Sequence, residues 1–302
     1  MFASLAFLAA LQQIVVPLGK PPPQVEKAIA PIEINGPLFA AACKDWDDWD
    51  KPAPPVRVHA NTFLVGTCGI SSILITGEQG DVLIDGGTEA GADLIADNIR
   101  KLGFRLSDVK IILQSHEHID HIGGVARLQR LTGAQVYASP AAAKVLATGT
   151  AGAGDPQAGM QKPVPIARVD RVIQDGGQVR LIDILLTAVA TPGHTPGALT
   201  WHWESCKAGI CRHIVYADSL TPVSRDDYRF TDHPEYLAAY RASIAKVAAL
   251  DCDILLTPHP SASDMINRLA LAKVENPNAC RDYAASLTKQ LDERLAKEAA
   301  AK

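Results

Sequence analysis

The chain has 302 residues, of which 47% are hydrophobic and 21% charged, and its formal net charge is −4. A chain of this length and apolar content can bury one large core or two small ones, which excludes a largely disordered protein. No polybasic strip is present to follow a phosphate backbone, and after the first 18 residues no apolar run is long enough to cross a bilayer. The composition therefore predicts a soluble globular protein with neither nucleic acid nor a membrane as a partner.

The N-terminal segment resembles a secretory signal. Residues 1–19 are mostly apolar, and the Ala-Ile-Ala run at 28–30 has the small-x-small pattern of a cleavage site. Two features depart from the usual signal, because no Lys or Arg precedes the apolar stretch and Pro31 follows the cut. We predict a leader over 1–30, export to the periplasm and a single domain over 31–302. The alternative is a buried or frayed N-terminal helix.

Six cysteines favour an oxidising compartment. None is in a CxxC pair, which argues against a structural zinc site built from cysteines. Six cysteines can pair in 15 ways, and spacing alone does not choose among them. A short turn suggests a hairpin disulfide between Cys206 and Cys211, and the economical remainder is Cys43 with Cys68 and Cys252 with Cys280. The alternative is a set of scattered buried thiols in a cytosolic protein.

The first half of the chain alternates short apolar runs with amphipathic segments. Strands are predicted at 56–59, 62–65, 71–76, 82–85, 109–113 and 135–138, and helices at 90–102 and 123–132. The turns between the early strands contain Asn, Gly and Glu-Gln-Gly, which are common turn residues.

The second half repeats this order after a loop rich in Gly, Ala, Asp and Pro, predicted at 147–163. Strands are predicted at 179–184, 186–190, 199–203, 213–216 and 254–257, and helices at 236–250 and 278–301. Because the order strand–helix–strand recurs in both halves, we expect a layered α/β protein with mixed sheets. No Gly-rich phosphate loop opens a helix after a strand, which excludes a dinucleotide-binding fold.

Four side chains that can bind metal follow the strand at 109–113 within a few positions. Alternation in an extended chain points His116 and His118 the same way, and the turn into the next helix brings Asp120 and His121 to an adjacent position. Imidazoles with a carboxylate suit a borderline cation, above all zinc. A strand end also places its ligands on the exposed rim of a sheet, where we expect the metal site.

Two further histidines end strands elsewhere in the chain. His194 lies in a stiff Pro/Gly turn and His259 lies between two prolines. A lone histidine between prolines is more often structural, but three strand ends that each deliver histidine favour a shared site. Two zinc ions then have three protein ligands and one open position each, as in catalytic zinc sites. The two ligand sets are His116, His118 and His194 for the first ion and Asp120, His121 and His259 for the second.

These motifs together resemble the metallo-β-lactamase superfamily. They are the H-x-H-x-D-H run at 116–121, Gly-His-Thr-Pro-Gly at 193–197, Val-Leu-Ile-Asp-Gly-Gly at 82–87 and the final His259. The resemblance implies an α/β fold of the αββα sandwich type, with two mixed β-sheets flanked by helices and a dinuclear site at one edge between the sheets. Residues 31–302 would then form a single catalytic metallo-β-lactamase domain.

Within that superfamily the chain is similar to the third subclass of class B β-lactamases. In the string Tyr-Ala-Asp-Ser-Leu, Ser219 stands where other branches have a cysteine zinc ligand. The resemblance implies that Ser219 and Thr221 help to hold the carboxylate of the substrate. It also implies that a flexible loop including Gln157 flanks the cleft.

Two aspartates are assigned supporting roles. Asp85 is predicted to hold a histidine or the neighbouring loop, and the alternative is an ordinary residue of a strand-end turn. Asp218 is predicted to orient a ligand from outside or to cap a turn. Glyoxalase- and lactonase-like relatives use an aspartate near this position to bridge the metals, so a bridging Asp218 would indicate hydrolysis of a thioester or a lactone.

The resemblance implies a zinc-dependent β-lactamase, a hydrolase that opens the cyclic amide of penicillins, cephalosporins and carbapenems and so gives antibiotic resistance. Asp120 is expected to orient a hydroxide shared by two Zn²⁺ ions, and this hydroxide attacks the β-lactam carbonyl. We expect a monomer whose partners are small-molecule β-lactams. The alternatives are a thioester or lactone hydrolase of the same fold and a non-catalytic zinc-binding module.

Overall fold

The computed structural model describes residues 36–44 and 48–300. The leader predicted over 1–30 lies outside these residues, so the leader, its cleavage pattern and the limits of the domain at 31–302 stay predictions. Within the described ranges, none of the helices combines the length and the apolar character needed to span a membrane.

The first sheet is mixed and contains seven strands that lie in chain order. Its strands are β1 (Val56–His59), β2 (Thr62–Leu64), β3 (Ile73–Ile75), β4 (Asp81–Ile84), β5 (Val109–Leu113), β6 (Gln135–Ala138) and β7 (Arg171–Val172). Strands β1 to β4 pair antiparallel, whereas β4 to β7 pair in parallel. The parallel half therefore carries helical connections, since parallel neighbours need a long crossover.

The second sheet contains five strands and is also mixed. Its strands are β8 (Gln178–Leu181), β9 (Ile184–Ala190), β10 (Leu199–Lys207), β11 (Ile210–Tyr216) and β12 (Ile254–Leu256). They lie in the order β12-β11-β10-β9-β8, and only the β11–β12 pair is parallel.

Helices pack against the outer faces of both sheets, and two of them pack with the layer between the sheets. They are α1 (Gly36–Ala42), α2 (Gly91–Lys101), α3 (Ile119–Ile122), α4 (Val125–Thr132), α5 (Pro140–Thr148), α6 (Pro234–Ala249), α7 (Met265–Ala270) and α8 (Ala279–Ala300). Single 3₁₀ turns lie at Leu106–Asp108, Phe230–Asp232 and Pro260–Ser263.

Three apolar layers fill the molecule, and the alternation of each strand divides its side chains between two of them. In β4, Val82 and Ile84 face the layer between the sheets, whereas Leu83 faces α2 and α4. In β11, Ile214 faces the central layer and Val215 packs towards α6 and α8. Strands β2, β3, β4 and β12 are buried along their whole length, because both of their faces are covered. The predicted αββα sandwich with two mixed sheets is confirmed.

Helix α5 is absent from the sequence prediction, which begins a loop at residue 147. The Ser139 hydroxyl accepts a hydrogen bond from the Ala142 N–H at 3.3 Å, and Pro140 occupies the first helical position. A serine N-cap and a proline at the first position are both common at the start of a helix, so the sequence does contain a signal for this helix. It ends at Thr148, and the connection to β7 follows.

The prediction of one strand over 179–184 is wrong. Strand β8 ends at Leu181, which pairs with Ile184 at the start of β9 across a two-residue turn. Ile182 lies in this turn with 65% of its surface exposed, and the Asp183 carboxylate accepts a hydrogen bond from the backbone of Glu78. An apolar residue in the turn makes the hairpin resemble one continuous strand.

Three disulfides join the pairs that were predicted from the sequence. Cys43–Cys68 links the end of α1 to the loop after β2, Cys206–Cys211 joins facing residues of β10 and β11, and Cys252–Cys280 links the segment before β12 to the first turn of α8. The predicted disulfide framework is therefore confirmed.

Replacing Cys252 and Cys280 together by alanine is expected to lower the free energy of unfolding by about 3–4 kcal/mol, because this disulfide spans a sequence separation of 28. The matched control is the pair Cys206 and Cys211, which has a separation of 5 and should lose about 2 kcal/mol. Urea unfolding of both double variants measures the difference. A larger loss for the short loop would contradict this explanation.

Candidate metal centre

All six predicted ligands meet at one edge of the sandwich, beyond the ends of three strands. Strand β5 leads into the segment 114–118, and helix α3 follows that segment directly. The connection between β9 and β10 and the segment after β12 supply the other two histidines. The side chains brought together are those of His116, His118, Asp120, His121, His194 and His259.

The first ligand set consists of three buried histidines. His116, His118 and His194 each offer one ring nitrogen, and these atoms lie within 4.8 Å of one another. The ring centroids are 4.8 to 4.9 Å apart, with interplanar angles of 73° to 90°. Rings that meet edge to face around a common point can surround one cation.

The second ligand set forms a nearly regular triangle. Asp120 Oδ2 is 3.2 Å from His121 Nε2 and 3.4 Å from His259 Nε2, and the two ring nitrogens are 3.4 Å apart. Donors about 2.0–2.2 Å from a zinc ion stand roughly 3.3–3.6 Å apart in a tetrahedron. The separations therefore fit one tetrahedral ion with a fourth position open. Because His116 lies within 4.8 Å of Asp120 and His121, the two sets adjoin.

Each histidine places its other ring nitrogen against an oxygen acceptor. The contacts are His116 Nδ1 with Asp218 Oδ1 (2.8 Å), His118 Nε2 with Asp155 Oδ2 (3.2 Å), His121 Nδ1 with Asp85 Oδ2 (3.2 Å), His194 Nδ1 with Thr221 O (2.9 Å) and His259 Nδ1 with Gly69 O (3.3 Å). Such acceptors keep the proton on the outer nitrogen and leave the inner one free to bind a metal. Among the described side chains, His116 Nε2 is a buried nitrogen without a hydrogen-bond partner.

Asp85 holds both a histidine and a loop. Its carboxylate accepts hydrogen bonds from the Ser115 N–H at 2.6 Å, the Ser115 hydroxyl at 2.7 Å and the Tyr216 hydroxyl at 2.7 Å, and it also faces His121. The backbone of Asp85 has φ +66°, in the left-handed region that few residues other than glycine adopt. This strained position turns the end of β4 towards the ligands.

Asp218 lies on the outer side of His116. One of its carboxylate oxygens contacts His116 Nδ1, and the other accepts a hydrogen bond from the Leu220 N–H at 3.4 Å. A bridging role would require an oxygen on the Nε2 side of the imidazole. The contacts therefore fit an aspartate that orients His116 and caps the following turn.

Burial keeps three of the histidines neutral. Burial, followed by the charge that neighbouring histidines would carry, lowers the pKa of His116 well below its ordinary value. The same causes lower the pKa of His194 to about 3 and the pKa of His259 to about 4. All three are neutral at pH 7, which is the state that binds metal.

His121 and Asp120 are coupled. Burial alone would lower the pKa of His121, but the carboxylates of Asp120 and Asp85 raise it to about 10. Burial also opposes ionisation of Asp120, yet the charge of His121 lowers the pKa of this carboxyl. The two groups therefore form a buried ion pair, and a metal ion bound here would displace the imidazolium proton.

Two of the three residues proposed to contact substrate, Gln157 and Thr221, lie beside His194. Gln157 is buried, with its side-chain nitrogen 3.4 Å from His194 Nε2. Both the carbonyl and the hydroxyl of Thr221 face His194 Nδ1, on the outer side of the ring. The hydroxyl of Ser219 is buried, and the Ser219 carbonyl accepts a hydrogen bond from Tyr283.

The expectation that strand-end ligands lie exposed on the rim of a sheet is wrong. Five of the six ligands are buried, and only His259 keeps appreciable exposure, at 28% of its side chain. The loop residues Asp155 and Gln157 pack against His118 and His194 and cover the strand ends. The histidines are therefore part of the packed interior as well as candidate ligands.

Several residues that hold the candidate ligands were not predicted from the sequence. Asp155 contacts His118, and Gly69 accepts a hydrogen bond from His259. The Gln161 side chain accepts a hydrogen bond from the Ile119 N–H at 2.8 Å, at the start of helix α3. Asp155 and Gln161 lie in the loop after α5, where no periodic pattern marks them, so the sequence offers no signal for their roles.

A family described as the metallo-β-lactamase superfamily matches the chain over residues 65–259. This stretch makes up more than half of the chain, and it includes all six candidate ligands together with Asp85 and Asp218. The match therefore covers the elements that build the metal centre.

Two solved structures are similar over most of the chain. The MIM-2 metallo-β-lactamase is 57% identical with a TM-score of 0.84, and the match covers 88% of this chain and 98% of that one. MEM-A1, a subclass B3 metallo-β-lactamase isolated from a soil metagenome library, is 45% identical with a TM-score of 0.81, and the match covers 84% of this chain and 100% of that one.

A curated relative matches a shorter stretch. The hydroxyacylglutathione hydrolase of Methylobacterium nodulans is 32% identical over 116 residues, which is 38% of this chain and 36% of that protein. The chain thus spans about a third of the length of this relative, compared with nearly all of the two β-lactamase structures.

Asp85→Asn is expected to weaken zinc binding at the site of His121 by about 10–100-fold, because an amide gives the imidazole weaker support than a carboxylate. Competition with a chromogenic chelator measures the affinities of the two ions. Asp81→Asn is the matched control, since Asp81 is equally buried at the other end of β4. Unchanged affinity in Asp85→Asn would contradict the orienting role of Asp85.

Proposed function

The chain belongs to the metallo-β-lactamase superfamily, and from this membership we propose that it hydrolyses the cyclic amide of β-lactam antibiotics with two zinc ions. The observation that carries the proposal is the convergence of two three-ligand sets at one edge of the sandwich. The substrates proposed are penicillins, cephalosporins and carbapenems, whose hydrolysis gives antibiotic resistance.

Similarity over the whole domain favours a β-lactam over a thioester. The β-lactamase matches extend over more than four-fifths of the chain, whereas the thioester hydrolase match covers 38% of it. The position of Asp218 supports the same choice. Its contact with His116 Nδ1 leaves it on the outer side of that ring, where it does not join two ions.

Zinc fits the donor set. Five imidazoles and one carboxylate suit a borderline cation, and three protein ligands per ion leave an open position for solvent or substrate. When bound, the two ions supply a Lewis acid for the carbonyl oxygen and activate solvent at neutral pH. We assign His116, His118 and His194 to one ion and Asp120, His121 and His259 to the other.

The chain's own residues orient the reactants. We assign Asp120 the orientation of the attacking water, because it is the one carboxylate whose oxygen lies among the inner ring nitrogens of the described ligands. Gln157 is proposed to donate a hydrogen bond to the substrate from the His194 side of the site. Ser219 and Thr221 are proposed to help hold the substrate carboxylate. Asp85 and Asp218 are proposed to keep His121 and His116 in the orientation that binds metal.

An exported monomer is part of the proposal. Three disulfides favour an oxidising compartment, so we place the mature protein in the periplasm. The proposed partners are small-molecule β-lactams, and none of the residues assigned to the metals or the substrate has to come from a second chain.

Purified protein is expected to contain two zinc ions per chain and to hydrolyse a carbapenem, with activity lost in EDTA and restored by Zn²⁺. We expect the ions to be required because the proposed nucleophile is a solvent molecule activated by them, and not a serine or cysteine side chain. Hydrolysis is measured from the absorbance of the β-lactam ring beside an acylglutathione thioester and an acyl-homoserine lactone. Activity on only the thioester or the lactone would replace the proposal with the alternative hydrolase. A folded protein that binds no zinc would contradict the proposed hydrolase and favour a non-catalytic module of the same fold.

Gln157→Ala is expected to raise KM for a penicillin by about 2–10-fold with kcat nearly unchanged, as for the loss of one neutral hydrogen bond to the bound substrate. Steady-state kinetics with a zinc assay on the same sample separates this effect from metal loss. The exposed Gln174→Ala serves as control. A fall in kcat at constant KM would contradict a binding role for Gln157.

A further inference from the structure

Glu117 is a buried carboxylate between two candidate ligands. It lies between His116 and His118 in the chain, and 4% of its surface is exposed. Side chains alternate in an extended segment, so Glu117 points away from the side on which the two histidines meet. None of the roles assigned above uses it.

Both oxygens of Glu117 contact the loop that carries His194. The Thr195 hydroxyl donates a hydrogen bond to Glu117 Oε2 at 2.7 Å, and the Gly197 N–H donates one to Oε1 at 2.8 Å. Thr195 follows His194 directly in the chain. The carboxylate therefore joins the segment with two histidines of the first ligand set to the loop with the third.

The space around this contact is closed. A Cβ atom on Gly197 would lie 2.6 Å from Glu117 Oε2 and 2.6 Å from the Ser139 hydroxyl, so no larger residue fits there without a shift. The same two loops are also joined by the Leu199 N–H, which donates a hydrogen bond to the Ser115 carbonyl at 2.6 Å. Glu117 thus lies where a small displacement changes the separation of the two loops.

We propose that Glu117 is a positioning residue that sets the distance between His194 and the pair His116 and His118 through its hydrogen bonds to Thr195 and Gly197. The inference rests on the proposed two-zinc function and deepens it. A buried carboxylate is costly unless it is hydrogen-bonded, and here both of its donors belong to the loop of the third histidine. Loss of the carboxylate would let that loop move relative to the other two ligands.

Three variants separate the positioning role from general stability. Glu117→Ala removes both hydrogen bonds. Glu117→Gln keeps them, because the amide oxygen can accept from Gly197 and the amide nitrogen can donate to the Thr195 hydroxyl, which can also act as an acceptor. Thr195→Val removes one of the two hydrogen-bond donors to Glu117, and it tests the same contact if Glu117→Ala does not fold.

Glu298→Ala is the matched control. Glu298 is also buried, at 6% exposure, and accepts hydrogen bonds from the backbone N–H groups of Phe230 and Thr231. It also pairs with Arg294, and it has no contact with a candidate ligand among its hydrogen bonds. The control therefore loses a buried carboxylate of the same type in another part of the fold.

The readouts are zinc affinity, from competition with a chelator, together with kcat, KM and the thermal midpoint. We expect Glu117→Ala to bind one of its two ions about 10–100-fold more weakly and to lose kcat, with Thr195→Val intermediate and Glu117→Gln close to wild type. Glu298→Ala should lose stability and keep both zinc affinities.

Three results would overturn the proposal. They are wild-type zinc affinities in Glu117→Ala and Thr195→Val, a loss in Glu117→Gln as large as in Glu117→Ala, or the same zinc loss in Glu298→Ala at equal stability. A wild-type protein that binds no zinc would instead overturn the proposed function, so the two failures are distinguishable.

Discussion

The candidate metal centre depends on the hydrogen bond that each of its five histidines makes on its outer side. An imidazole binds a cation only when it is neutral and only through the nitrogen without the proton. The oxygen acceptors that hold the outer ring nitrogens belong to Asp218, Asp155, Asp85, Thr221 and Gly69. They come from four separate segments of the chain, since Asp218 and Thr221 share one, so the geometry of the candidate ligands is a property of the whole sandwich. A change far from any ligand can therefore alter a site that it does not contact.

The two sheets provide this geometry because strands β4, β5 and β12 are mostly apolar and buried, and the chain becomes polar where each of these three strands leaves the core. The connections that follow are held by side chains of other loops, as Glu117 holds Thr195 and Asp85 holds Ser115. The rigid part of the molecule thus fixes where the ligands start, and the buried polar contacts fix how they point.

Much of the fold and the ligand set follows from local patterns in the sequence. Alternation and apolar runs identify most strands, and histidines at three strand ends predict side chains that the structure brings together. Contacts between distant loops have no local pattern. Asp155 reaches His118 across 37 residues, within a loop whose composition carries no period. The burial of His116 also has no local pattern in the sequence, because it depends on which loops cover the end of the strand. Helix α5 is different, since Ser139 and Pro140 mark its start and the prediction did not use them.

Position 85 combines two demands that few residues meet together. Its backbone lies in the left-handed region, which aspartate, asparagine and glycine tolerate better than other residues. Its side chain must reach Ser115, Tyr216 and His121 with acceptor oxygens. Glycine would adopt this positive φ without strain but has no side-chain oxygen. Glutamate carries the same charge on a longer side chain, and it adopts a positive φ less readily than aspartate. Aspartate thus has few substitutes at this position, so we expect position 85 to vary little among proteins that share this arrangement of Ser115, Tyr216 and His121.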